Sequence, residues 1–167
     1  LPAYGFFWFL LTDEADAPRW HVNTPEPLPE FVTLTAPGGR LERALEGREL
    51  QQLQSDALPE FLGHQRWFPG KSNAVRNVRD TRIGSLAGEM NALVLLNVDT
   101  PEGEQRYLLP LTVLWGENNL TFGAPKLSHT LAKIRAGASL GALVDATQDE
   151  RFTRGLIAAM QAGGETS

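Results

Sequence analysis

The sequence predicts an α+β domain: N-terminal helices, an antiparallel curved sheet in meander order, and a C-terminal helix. Three patterns carry this. Leu50, Leu53, Ala57, Leu58, Phe61 and Leu62 recur at spacings of three and four, the mark of a helix with one buried face. Tyr107, Leu109, Leu111, Val113 and Trp115 alternate with period two, as a strand with one inward face does. Beyond Thr147, the helical spacing returns in Phe152, Leu156, Ile157 and Met160. Helices, strands and a helix in separate runs describe α+β rather than alternating α/β.

In chain order, residues 1–11 read as a short, aromatic-rich strand suited to the edge of another sheet. From Asp13 to Glu30 the composition changes. Asp13, Glu14, Asp16, Glu26 and Glu30 bring charge, and Pro18, Pro25, Pro27 and Pro29 stiffen the backbone into an extended linker. The expected division is therefore a terminal strand at 1–12, a linker at 13–30 and one domain over 31–167. That domain opens with an apolar segment at 31–35 and a turn at Pro37-Gly38-Gly39. The helical region covers about 48–62, with two pieces expected. Pro59 disfavours helical dihedrals at Leu58, so the second piece starts near there. Strands follow at 75–84 and 90–98, then a turn cluster at 99–104, then a strand at 105–115. Pro110 inside that strand implies an edge position or a bulge. Short strands at 120–122 and 131–135 continue the sheet. Short connections favour antiparallel neighbours. Thr147 and Glu150 have capping-box spacing at the start of the last helix, where Asp145 and Asp149 also suit the helix dipole. Gly163 suits its end.

Composition limits the function classes. A chain of 167 residues can bury a real core. Its net charge of -5 argues against nucleic acid or an anionic membrane surface as partner, because both require a basic face. There is no cysteine, so disulfides and thiolate metal sites are excluded. The apolar run at Phe6–Leu11 is far shorter than the ~20 residues a membrane span needs, and no basic leader precedes it. His21, His64 and His129 show no metal-binding spacing. Asp99, Glu102 and Glu104 suit a solvated turn. Asn119-Leu120-Thr121 is a glycosylation sequon, meaningful only in a secreted eukaryotic protein.

The stretch with most content is Gln65-Arg66-Trp67-Phe68-Pro69-Gly70-Lys71. Gly70-Lys71-Ser72 ends like a phosphate loop, but that motif needs a glycine where Gln65 stands, and Pro69 has no N–H to offer a phosphate. Such a loop also follows a strand, whereas this one follows a helix. The reading taken is an anchor: Trp67 and Phe68 are core residues that lock the 48–62 helix onto the sheet, with Arg66 placed by the same turn. No catalytic residue, cofactor ligand or metal ligand is assigned. The signature of Gln65, Arg66, Trp67, Phe68, Gly70 and Lys71 is structural.

Two resemblances cover nearly the whole chain. Leu1-Pro2-Ala3-Tyr4-Gly5-Phe6-Phe7-Trp8-Phe9-Leu10 resembles the closing strand of the C-terminal β domain of a trehalose synthase of the α-amylase (glycoside hydrolase 13) type. Residues from about 31 resemble the N-terminal cap of maltokinase. Leu58-Pro59-Glu60-Phe61-Leu62, Gln65-Arg66-Trp67-Phe68 with Gly70-Lys71, Tyr107-Leu108-Leu109-Pro110-Leu111 and Gly141-Ala142-Leu143-Val144-Asp145-Ala146 carry that likeness. Pro69 and Val144 depart from it, since a small residue and an aromatic are common there. The resemblance implies a bacterial, cytoplasmic fusion of the α-glucan pathway. One half would interconvert maltose and trehalose, and the other would use ATP and magnesium to make maltose 1-phosphate. This piece would be the inactive cap, with the barrel and kinase lobes of its own polypeptide as partners. It would hold no cofactor itself. The alternative is a stand-alone carbohydrate- or protein-binding module presenting aromatics such as Trp20 or Trp115.

Overall fold

The computed structural model describes residues 29–69, 75, 77–85 and 91–161. The expected strand at 1–11 and nearly all of the linker lie outside them, as do Gly70, Lys71 and Gly163.

The described part is α+β, as its patterning predicts. A three-residue strand, β1 (Thr33–Thr35), leads through a tight 3-10 turn at Pro37–Gly39 into a short helix, α1 (Leu41–Ala44). Then α2 (Gly47–Gln52), a π turn (Leu53–Ala57) and α3 (Leu58–His64) run on without a break. The expected second piece does start at Leu58, but as a change from π to α helix rather than a break, since Leu58 keeps helical dihedrals (φ -67°, ψ -45°) despite standing before Pro59. The π turn explains this. A proline ring in a helix collides with the carbonyl four residues back, here Ser55. Ser55 lies inside the widened turn, where the Leu58 N–H bonds the Leu53 carbonyl, five residues back.

Strands β2 (Asn77–Ser85), β3 (Asn91–Thr100) and β4 (Gly103–Trp115) form the antiparallel meander. The β3–β4 turn is tighter than the expected 99–104 cluster. Asp99 pairs with Glu104 and Thr100 with Gly103, leaving only Pro101 and Glu102 in the loop. Strands β5 (Thr130–Ala136) and β6 (Ser139–Asp145) form a hairpin, and β6 rather than β5 lies beside β4. Among the described residues the strand order is β1-β5-β6-β4-β3-β2, with β1 parallel to β5 and every other pair antiparallel. The expected strand at 120–122 is instead a 3-10 turn (Glu117–Leu120) followed by a loop. Asn119 drives this. Its amide nitrogen donates to the carbonyls of Trp115 (2.9 Å) and Gly116 (3.2 Å), closing the chain back on the end of β4. The same bonds occupy the nitrogen that the glycosylation sequon would need.

Pro110 lies in an interior strand rather than at the sheet edge or in a bulge. The β4–β6 pairing begins only at Leu111, and the Pro110 carbonyl accepts the Ala146 N–H at 2.9 Å. An extended residue points its N–H and C=O to the same side, so the missing donor faces the end of β6, where no ladder bond is due.

The main core lies between the helices and one face of the sheet. Leu41, Leu45, Leu53, Leu58 and Leu62 pack with Val94, Leu96, Leu109, Leu111, Ile134 and Leu143, all buried. The last helix, α4 (Glu150–Gln161), covers part of the opposite face, where Phe152, Leu156 and Ala159 meet Leu93 and Ala146. Only part of its expected stripe is buried, because Ile157 is 50% and Met160 72% exposed. The predicted capping box does not form either. Asp145 closes β6 and is buried; its carboxylate accepts the N–H (2.8 Å) and the hydroxyl of Thr147. Asp149 caps the helix instead, accepting the N–H groups of Arg151 (2.9 Å) and Phe152 (3.2 Å).

Candidate functional site

The signature turn sits where α3 ends. Gln65 leaves helical dihedrals (φ -79°, ψ 131°), and its N–H still bonds the Leu62 carbonyl at 3.0 Å. The Phe68 N–H then bonds the Gln65 carbonyl at 3.2 Å, folding 65–68 into one tight turn. This turn aims two aromatic rings at the N-terminal half of β4. Phe68 is 4% exposed and lies 5.4 Å from the Tyr107 ring. Trp67 lies 5.7 Å from Tyr107 and meets Phe68 edge-on at 6.3 Å and 78°. Those distances are in the favourable range for aromatic pairs.

The anchor reading therefore holds for Phe68 and is corrected for Trp67, which is 48% exposed and lies over the cluster rather than in the core. Neighbouring residues in a turn cannot both point inward, and Phe68 takes the inward place. Arg66 is exposed. Tyr107 was legible only as an inward strand position, and its role as the platform for both rings was missed. Its hydroxyl donates to Gln105 Oε1, two residues earlier on its own strand. Burial, with the negative charge of Glu102 adding to it, pushes the Tyr107 phenol above its ordinary value.

Beside this cluster lies a groove of about 480 Å³ between the end of α3 and the segment leading into β5. Phe31, Ala57, Phe61, Leu127 and Leu131 give it apolar walls, and Glu60, His64, Gln65, Ser128 and Thr130 its polar ones. His64 Nδ1 lies 2.8 Å from the Glu60 carbonyl, and Gln65 Nε2 donates to the Phe61 carbonyl at 3.3 Å. No local pattern signalled this groove, because its walls come from segments about sixty residues apart.

The charged pairs elsewhere are structural. Arg79 bridges Asp99 (2.7 Å) and Glu104 (3.6 Å) across the meander. Burial raises the Asp149 carboxyl, but the bond from Arg151 and the N–H groups it caps outweigh this and hold it below its ordinary value. Among the described residues no three His, Asp or Glu side chains cluster as metal ligands, and no helix is long and apolar enough to cross a membrane.

The family model of the maltokinase N-terminal cap domain matches residues 61–149, more than half of the chain. The match takes in the signature turn, Tyr107, and strands β2 to β6. No curated protein and no solved structure matches the chain.

Proposed function

Because the chain belongs to the maltokinase N-terminal cap domain family, we propose that it is the non-catalytic cap of a kinase that phosphorylates maltose. The family match over 61–149 carries this reading. The aromatic cluster supports it, since a turn whose rings grip a strand braces a scaffold. ATP and magnesium would bind in the kinase lobes of the same polypeptide, and the product would be maltose 1-phosphate. The likeness of Leu1–Leu10 to a closing strand of trehalose synthase extends the proposal. A maltose–trehalose interconverting barrel would precede the cap in one reading frame. The cytoplasm, where ATP is supplied, is the compartment that suits such a protein.

The test is an activity assay of the chain by itself. Incubated with ATP, magnesium and maltose, it is expected to form no maltose 1-phosphate above background. Phosphoryl transfer depends on positioned metal ions, a phosphate-gripping loop and a base, and the cap reading assigns these to other lobes. Turnover at the ~1–100 s⁻¹ typical of kinases would overturn the reading.

A further inference from the structure

The groove beside the last turn of α3 joins an apolar floor to a rim rich in hydrogen-bond acceptors. Phe31, Phe61 and Leu131 line the floor. On the rim, His64 Nδ1 lies 2.8 Å from the Glu60 carbonyl. A carbonyl only accepts, so Nδ1 is the donor in this bond. Gln65 turns its amide nitrogen to the Phe61 carbonyl, which directs Oε1 away from that bond. The Glu60 side chain is exposed and makes no ion pair among the described residues. His64 and Gln65 stand at the C-terminal end of α3, where the peptide dipoles add partial negative charge, and Glu60 lies one turn earlier. The nearby Lys126 ammonium is directed to the Gln148 carbonyl at 3.4 Å.

We propose that this groove binds a small organic cation: an ammonium or guanidinium group carried on an apolar body. The charge meets the Glu60 carboxylate, and the apolar body lies against Phe31 and Phe61, whose ring faces also attract cations. At about 480 Å³ the groove is within the ordinary size range for small-molecule sites. An anion would be repelled by the Glu60 carboxylate. The inference is independent of the kinase-cap reading, because it rests on the groove alone.

Three probes of similar shape test it on the whole chain: phenethylammonium, 2-phenylethanol and 3-phenylpropionate, titrated while backbone amide NMR shifts are followed. Phenethylammonium is expected to saturate with a Kd of ~1 mM, shifting residues 60–65 and 127–131. The alcohol is expected to bind about tenfold more weakly, as loss of one charge-assisted contact implies, and the propionate not to bind. Glu60→Gln removes the preference for the ammonium over the alcohol. This exposed substitution leaves the fold intact, which circular dichroism checks. Equal binding of all three probes, shifts confined to another surface, or no saturation by the ammonium would each overturn the proposal. So would displacement of the ammonium by maltose, which would reassign the groove to a sugar.

Discussion

Replacing Phe68 and Trp67 separately by alanine discriminates between an anchor and an overlay. Phe68 is 4% exposed and belongs to the main core, touching Tyr107 on β4. Truncating a buried phenylalanine costs about 3–5 kcal/mol, because transfer energy is lost and a cavity is left. Trp67 is 48% exposed, so about half of its surface is already in water. Its two ring contacts contribute roughly 0.5–1.5 kcal/mol each, giving an expected loss of about 1–3 kcal/mol. The total stability of a domain is only about 5–15 kcal/mol. Phe68→Ala should thus be barely folded or should melt far lower. Trp67→Ala should fold and lose about 2–12 °C, at roughly 2–4 °C per kcal/mol for a chain of this size. Thermal and urea melts followed by circular dichroism, for each variant and the parent, give the comparison. Near-equal losses, or a larger loss at Trp67, would refute the assignment of Phe68 as the buried member.

Other expectations follow from single positions. Gly141→Ala would place a Cβ 2.7 Å from the Leu114 carbonyl and 3.0 Å from the Trp115 ring, so a loss of about 1–3 kcal/mol is expected in thermal melts. An unchanged melting temperature would mean that β4 and β6 separate easily. Asp149→Ala removes the α4 cap and should cost about 1 kcal/mol, with Asp149→Asn costing less. The folded state holds the Asp149 carboxyl below its ordinary value, so its charge stabilises the fold at neutral pH. That contribution fades as pH falls through the folded value. The stability gap between the parent and Asp149→Asn should therefore narrow on acidification, and a gap independent of pH would refute the cap's electrostatic part.

The elements with clear periodicity were legible. The 48–62 helix and the strand at 90–98 have one face more buried than the other, as does 105–115 as far as Leu111, and that asymmetry is what a pattern records. β6 left no such trace. Gly141 to Asp145 are buried in succession because β4 and β5 flank them and both faces are covered, so the residues do not alternate. The 120–122 segment misled in the opposite way. Leu120 and Phe122 have strand spacing, but Asn119 ties the backbone to the end of β4, and Phe122 ends 70% exposed. The Thr147–Glu150 spacing was a real motif in the wrong place, because Asp145 holds the Thr147 hydroxyl first. At the candidate site, Phe68 was legible from its aromatic character. The groove was not, because no local pattern reports a contact between 60–65 and 127–131.

Both prolines inside regular elements show how a local rule and the fold are reconciled. Each proline removes one backbone donor, and in a buried element a lost bond leaves a carbonyl unmatched. At Pro59 the chain answers within the helix. The π turn shifts bonding to five residues, so the ring is accommodated and the helix axis carries on to Gln65 and its turn. At Pro110 the answer lies between strands. The β4–β6 ladder starts one residue later, and Ala146 supplies the N–H that the Pro110 carbonyl accepts. Neither proline terminates its element: at Pro59 the π turn runs straight into α3, and at Pro110 the missing donor faces the end of β6, where no ladder bond is due. The rule that proline breaks helices and marks sheet edges is thus a statement about hydrogen bonds. Where the surrounding fold can re-route those bonds, the element continues, and here it continues toward the aromatic turn from one side and the hairpin of β5 and β6 from the other.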